Sequence, residues 1–379
     1  MDERRRTLKP ITFVVRHDYK NKPGGDVDLA HTYVSMLKDA GIEATITPSD
    51  QVVPEQLSYV VLFNLDQPFE AYCVAQQCVQ AGLPYGIYTL HHKRYWTDLF
   101  LRYGTRGKQR LIAQLMGGSS SNYETIVGGL RQLRGASIGQ LLQMRSAATM
   151  QKYLLEHAAS VLVSCEAEAA CIEKDFALKL KHVTVIQHYF SKASLASVPS
   201  VNDGDPIDLL CAGRIEPRKN QLSLAKYIAE SSDRSMVFVG KKNLRHGAYL
   251  EEFDRVVAAC PRLRWVDHVS KETLHAYLRS CNLYINVSWF EVFSLIDLIA
   301  LQNNCRCVLS RGSYLFDAYH GEDEKGVLSF IAPSKLSDLQ ELLSVNASKP
   351  ANPRPLPEAV IPDAEYLVGQ WKSVFGVQG

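Results

Sequence analysis

Short apolar runs alternate along this chain with longer stretches in which apolar positions recur every three or four residues. Ile11-Thr-Phe-Val-Val15 predicts a buried strand. After a loop from His17 to Gly25, the spacing of Leu29, Tyr33, Met36, Leu37 and Ala40 predicts a helix over 26–40, which Gly41 stops. Ile42–Thr47, Tyr59–Asn64, Tyr85–Leu90 and Ser160–Val163 read as the next strands. In the second half Ile207–Ala212, Met236–Val239, Arg264–Val266, Leu283–Val287 and Cys307–Leu309 read the same way, with helices at Gln221–Ser231 and Lys271–Arg279 between them. Short apolar strands separated by helices predict an α/β chain with parallel, doubly wound sheets.

At 379 residues the chain is too long for one comfortable core. The Pro-, Gly-, Ser-, Asn- and Asp-rich stretch Ser197–Pro206 has the composition of a linker. The predicted division is a domain over 1–195, a linker over 196–206 and a second domain over 207–360. A Pro-rich stretch, Lys349–Pro357, precedes a last amphipathic helix within 361–379. The net charge of +2 argues against a dedicated nucleic-acid binder. No run approaches the ~18 apolar residues of a membrane span. The apolar run Ile11–Val15 is too short for the core of a secretory leader. The nine cysteines form no CxxC pair and no Cys/His cluster with zinc spacing, so a reducing cytoplasm and no metal are expected.

Residues 91–116 stand apart, with six Lys and Arg against one Asp. Trp96, Phe100 and Tyr103 are interleaved among the cations, and the Gly- and Ser-rich residues 117–139 after them read as a loop. Lys93, Arg94, Tyr95, Trp96 and Arg102 are candidates for an anionic acceptor or a membrane surface. The alternative is a solvated helix whose aromatics pack inward.

Two stretches carry candidate chemistry. Leu210-Cys-Ala-Gly-Arg-Ile-Glu-Pro-Arg-Lys-Asn-Gln221 runs from strand through glycine turn to helix start, placing Arg214 and Lys219 near a helix N-terminus. A guanidinium, an ammonium and free backbone N–H groups suit a diphosphate. Ser280–Ala300 gives a strand, a loop holding Glu291 and another helix, where the backbone N–H groups of Phe293, Ser294 and Leu295 can add anion donors. The alternatives are two surface cations beside a turn, and a carboxylate that merely complements a helix dipole.

Together these stretches resemble the GT-B nucleotide-sugar glycosyltransferases, in particular the retaining family 4. Ala212-Gly-Arg-Ile-Glu-Pro-Arg-Lys-Asn220 is similar to its phosphate motif. Val266-Asp-His-Val-Ser270 with Leu274–Asn286 is similar to the run that follows, and Ser288-Trp-Phe-Glu-Val-Phe-Ser-Leu295 to its S-x-x-E-G-F-G-L segment. Pro23-Gly-Gly25, Tyr88-Thr-Leu-His91, Ser160–Glu166 and the Trp371 helix fall in the family's order.

The resemblance implies two Rossmann-like domains facing across a cleft, and hexosyl transfer with retention and without metal or other cofactor. The donor is then a nucleotide-sugar and the acceptor a saccharide or lipid-linked glycan, as in polysaccharide or lipopolysaccharide synthesis on the cytoplasmic membrane face. Carried over by position, Arg214 and Lys219 hold the diphosphate, and Gly24 and Gly25 admit it to the backbone. Glu291 bonds the sugar hydroxyls, and His91 contacts the sugar near the reacting carbon. The departing phosphate oxygen can take the acceptor's proton. Asp26-Val-Asp28 imitates a metal triplet but is expected to be a helix N-terminal charge.

The chain departs from the pattern in places. The second glutamate of the family's pair is Ile299. Asp297, two residues away, points about 200° off on a helix. Val292 and Ser294 replace glycines, and Gln187-His-Tyr-Phe190 replaces the P-N-G-V turn. These departures keep a catalytically impaired binding subunit in view, beside an epimerase of the same fold.

Overall fold

The computed structural model describes residues 10–20, 24–130, 145–189, 207–319, 328–344 and 362–376. The expected linker 196–206, Pro23, Phe190 and the Pro-rich stretch 349–357 lie outside them. The described residues of 1–91, 120–189 and 361–379 form one compact unit, and those of 92–119 and 190–360 a second.

The first unit is built on a six-stranded parallel sheet: β1 (Ile11–Val15), β2 (Ala44–Pro48), β3 (Tyr59–Phe63), β4 (Tyr85–Tyr88), β5 (Ser160–Val163) and β6 (Val183–Val185), in the order β2-β1-β3-β4-β5-β6. Alternate residues of each strand serve opposite faces. Phe13, Tyr59, Val61, Phe63 and Leu162 pack on one side with Tyr33 and Trp371. Val14, Val60, Leu62, Ile87, Val161 and Val163 pack on the other with Val74, Leu154 and Ile172. Burial on both faces is why the central strand β3 is apolar without interruption.

The second unit holds β7 (Leu209–Ala212), β8 (Met236–Val239), β9 (Leu263–Val266), β10 (Leu283–Ile285), β11 (Cys307–Ser310) and β12 (Leu328–Ile331), in the order β12-β11-β10-β7-β8-β9. Read along its own strands, this is the 3-2-1-4-5-6 order of a dinucleotide-binding sheet. The order reverses between β7 and β10, and a sheet of this kind takes its ligand at the carboxyl ends of the strands flanking that reversal.

All ten expected strands are found, with their ends within two residues of those read from the sequence. Two edge strands, β6 and β12, carried no sequence expectation. β6 is three residues long with no fully buried position, so its hydrophobic signal is weak. The loop expected over 117–139 is corrected over its described part: Ser120–Tyr123 is helical, and Glu124–Gly128 continues it as a wider π turn. Thr125 Oγ1 bonds the Ser121 carbonyl and receives the Ala147 amide, so side-chain bonding offsets the weak helix propensity of these residues.

Among the described residues no helix is long and apolar enough to cross a membrane. All nine cysteines are free thiols.

Candidate functional site

The loop after β7 begins at Gly213, whose φ of 143° is open to glycine and strained for other residues. A side chain at Gly240 would collide with the Gly213 carbonyl, so the two glycines let neighbouring strand ends approach. Pro217–Lys219 then makes one tight 3-10 turn, and Asn220 ends it in the left-handed region at φ 60°. Asparagine tolerates that conformation, and its amide also donates to the Pro333 carbonyl at 3.0 Å. Gln221, the first residue of the next helix, donates to the Arg214 carbonyl (2.8 Å) and accepts from the Glu216 amide (3.3 Å). The loop is thereby held at both ends by one side chain.

The loop after β10 is clipped onto it. The Trp289 amide donates to the Arg218 carbonyl at 2.8 Å, and the Glu291 amide to the Gly312 carbonyl at 3.2 Å. Glu291 is thus placed over the β7 loop. Lys219 Nζ lies 2.5 Å from its Oε1 and Arg218 Nη1 3.0 Å from its Oε2. Arg218 Nε also reaches Glu216 at 3.3 Å, and the Arg218 guanidinium lies over the Phe290 ring. Arg214 is 3.9 Å from Glu216 and its side chain is 54% exposed, so of these three cations it is the one most open to a ligand.

Burial alone would raise the Glu291 carboxyl. Arg218 and Lys219 outweigh it and bring the pKa down to about 2. Glu216 is likewise raised by burial but lowered on balance, chiefly by Arg218 and by an Asn243 amide 2.8 Å away. Three cations and two ionised carboxylates therefore meet at the switch point of the second sheet. Arg218 and Glu216 were not assigned from sequence. Their available signal was the run Glu-Pro-Arg-Lys, whose adjacent cations a single tight turn brings to the two oxygens of Glu291, with Arg218 also reaching Glu216.

Phe293, Ser294 and Leu295 lie where the sequence placed them, at the start of the helix Leu295–Gln302. The Ser294 hydroxyl caps it by accepting from the Asp297 amide at 3.4 Å. Asp297 points to the sheet: Tyr284 donates to it at 2.8 Å, as does the Asn286 amide to both its oxygens. It is completely buried, and that burial raises its pKa from 3.8 to about 6. It does not replace the glutamate missing at Ile299.

A folded-state pKa above the ordinary value means that the folded chain binds this proton more tightly. Protonation therefore stabilises fully below about pH 3.8, and its contribution is lost as pH rises through about 6, a change on the order of 3 kcal/mol. Asp297→Asn is expected to flatten the pH dependence of the melting temperature between pH 4 and 6.5. An unchanged slope in the variant would show that Asp297 does not titrate there.

Of the basic segment, Lys93 turns inward. It pairs with Asp317, donates to the Ser313 carbonyl at 3.2 Å and lies 4.9 Å over the Tyr314 ring. His92 meets Phe290 edge-on at 4.9 Å, and Phe100 packs on Phe290 and Trp289. The segment thus braces the Glu291 loop. Arg94 and Trp96 are half-buried, whereas Tyr95 and Arg102 are exposed.

In the first unit Gly24 precedes the helix Gly25–Asp39, and a side chain there would crowd Asp26 and Arg16, which pair at 3.3 Å. Gly25 has open space around it. Asp26 and Asp28 both lie in that helix's first turn.

His91 lies beyond β4 and is 2% exposed. Its Nδ1 lies 2.6 Å from Asp66 and its Nε2 2.9 Å from Asp175. Burial works against its charge, but the two carboxylates prevail and hold the ring protonated with a pKa well above the ordinary value. Both ring nitrogens are engaged, so contact with a sugar hydroxyl requires one of these pairs to open.

No family model and no curated protein sequence matches the chain. Solved structures do match it. Anabaena HepE in complex with UDP and glucose superposes with a TM-score of 0.65 at 14% identity, covering 98% of this chain and 100% of that one. Sucrose-phosphate synthase from Thermosynechococcus elongatus gives 0.58 at 13% identity, over 97% and 95%. The lipopolysaccharide outer core galactosyltransferase WaaB gives 0.52 at 11% identity, over 97% of each chain. The chain has the α/β GT-B fold of these glycosyltransferases.

Proposed function

We propose that the chain is a glycosyltransferase that uses a nucleotide-sugar donor. The observation that carries this is the cluster of Arg214, Arg218 and Lys219 with Glu216 and Glu291 at the β7/β10 switch point. Arg214 and Lys219 neutralise the departing diphosphate, and Glu291, held ionised, accepts hydrogen bonds from the donor sugar. Such preorganised charge acts most strongly where negative charge develops, on the leaving phosphate. The transfer proceeds with retention, and the leaving phosphate takes the acceptor's proton, so no metal enters the step. The structural neighbours crystallised with UDP and UDP-glucose favour a nucleoside diphosphate-sugar donor. Titration of the purified chain with nucleoside diphosphates, followed by a mass-spectrometric screen of nucleotide-sugars for hydrolysis or transfer, tests this. Failure of every nucleoside diphosphate to bind rejects it. Binding without any transfer or hydrolysis favours the second reading, an impaired binding subunit, which Ile299 and the inward-facing Asp297 support.

The acceptor is proposed to be a lipid-linked saccharide of a surface glycan, met at the cytoplasmic membrane face. In the helix Gly107–Leu115 only Ala113 is buried. Leu111 and Leu115 share a face and are exposed, as are Tyr103, Arg102, Lys108 and Arg110 nearby. Apolar side chains beside cations suit an anionic lipid interface. Co-sedimentation with anionic vesicles is expected to weaken with salt, and the Leu111→Asp, Leu115→Asp variant to bind at least about tenfold less. Binding indifferent to lipid charge, salt and both leucines would remove the membrane role.

A further inference from the structure

We propose that His91, Cys171 and Asp175 form a binding site for a divalent cation of the zinc class. Cys171 and Asp175 are four residues apart on the helix Glu166–Phe176 and so share a face. One ligand atom from each of the three residues lies within 4.8 Å of the others. Asp175 Oδ2 is 2.9 Å from His91 Nε2 and 3.4 Å from Cys171 Sγ. Tetrahedral bonds of about 2.0–2.3 Å place ligand atoms roughly 3.3–3.8 Å apart, so small side-chain rotations suffice to admit an ion.

Two further features single out this cluster. Asp66 holds the far side of the ring at Nδ1, which directs Nε2 at the cluster; metal-bound histidines are oriented by carboxylates in this way. Glu168 fixes the backbone beneath: it accepts from the His91 amide at 2.7 Å, the Ser164 amide at 2.7 Å and the Thr89 hydroxyl at 2.5 Å. The ring is buried, whereas Cys171 and Asp175 are only partly so, which leaves the open side to solvent.

The exchange balances. The ion displaces the Nε2 proton of the imidazolium and the thiol proton of Cys171, and both leave to solvent. Two positive charges replace two protons, so the cluster's net charge is unchanged. Imidazole, thiolate and one carboxylate suit zinc, with water as fourth ligand. The bound ion would tie the end of β4 to the helix Glu166–Phe176, and the inference does not depend on the transferase reading.

The test uses the full chain stripped with chelator. Equilibrium dialysis with Zn2+ is expected to give one ion per chain. Co2+ is expected to produce the near-ultraviolet thiolate-to-cobalt charge-transfer band. Calorimetry in buffers of different ionisation enthalpy is expected to show about two protons released per ion near neutral pH. Cys171→Ser is expected to abolish the band and Asp175→Asn to lose stoichiometric uptake. Asp66→Asn is expected to weaken binding about 10–100-fold. Folding of each variant is followed by circular dichroism. Absence of stoichiometric Zn2+ uptake, a missing thiolate band, or a folded Cys171→Ser chain with wild-type affinity would each overturn the proposal.

Discussion

Lys219→Ala is expected to lower transfer by about two to three orders of magnitude and to weaken nucleoside diphosphate binding. The Lys219 side chain is only 12% exposed and lies in the turn beyond β7, where developing phosphate charge is to be met. Without a ligand its partner is Glu291, so a diphosphate and Glu291 compete for it. This sets a companion result of opposite sign. Glu291→Gln removes the competitor and is expected not to weaken diphosphate binding, while transfer falls because the sugar loses a charged acceptor. Titration calorimetry and donor turnover, measured on both variants, separate the roles. Wild-type turnover in either variant would refute the site. A parallel loss of diphosphate affinity in both would mean that Glu291 shapes the loop and does not touch the sugar. The pairing has a stability consequence too. Glu291, ionised down to about pH 2, stabilises the fold fully above its ordinary pKa of 4.5, and that contribution fades as pH falls towards 2.

Trp371→Ala is expected to destabilise the first unit by about 3–5 kcal/mol, the cost of emptying a fully buried indole site. Trp371 is completely buried on the helix Ala364–Phe375. Its ring meets Phe13 at 5.1 Å, Tyr33 at 5.2 Å and Phe375 at 5.4 Å, so its loss opens a void under β1 and beside the first helix. Urea unfolding of the variant followed by circular dichroism should show the lower midpoint. A loss below about 1 kcal/mol would mean that the helix contributes little to this core.

The strands were readable because both faces are covered, which makes runs such as Tyr59–Phe63 apolar without interruption. β6 was not, because an edge strand is covered less. The loop chemistry was readable in part. Gly213, Arg214 and Lys219 are close in sequence, and the strand–turn–helix order brings them to one sheet end. The pairing of Lys219 with Glu291 joins residues 72 apart, and only the neighbouring positions of β7 and β10 in the sheet make it. Lys93 shows the opposite case. Its sequence neighbours mark it as a surface cation, but Asp317 and Tyr314, far along the chain, draw it inward.

The sequence by itself determined the alternation of strand and helix, the glycine at the β7 turn and the residue types that suit a diphosphate, because each depends on neighbours a few positions away. The tertiary structure decided which charges meet and how they titrate. It tied Glu291 between Arg218 and Lys219, turned Asp297 to the sheet, and enclosed His91 between Asp66 and Asp175 beside Cys171. It also grouped residues 92–119 with the second unit. Local propensity acts over a turn or a strand. A carboxylate's partners and its loss of water are fixed only when distant segments pack.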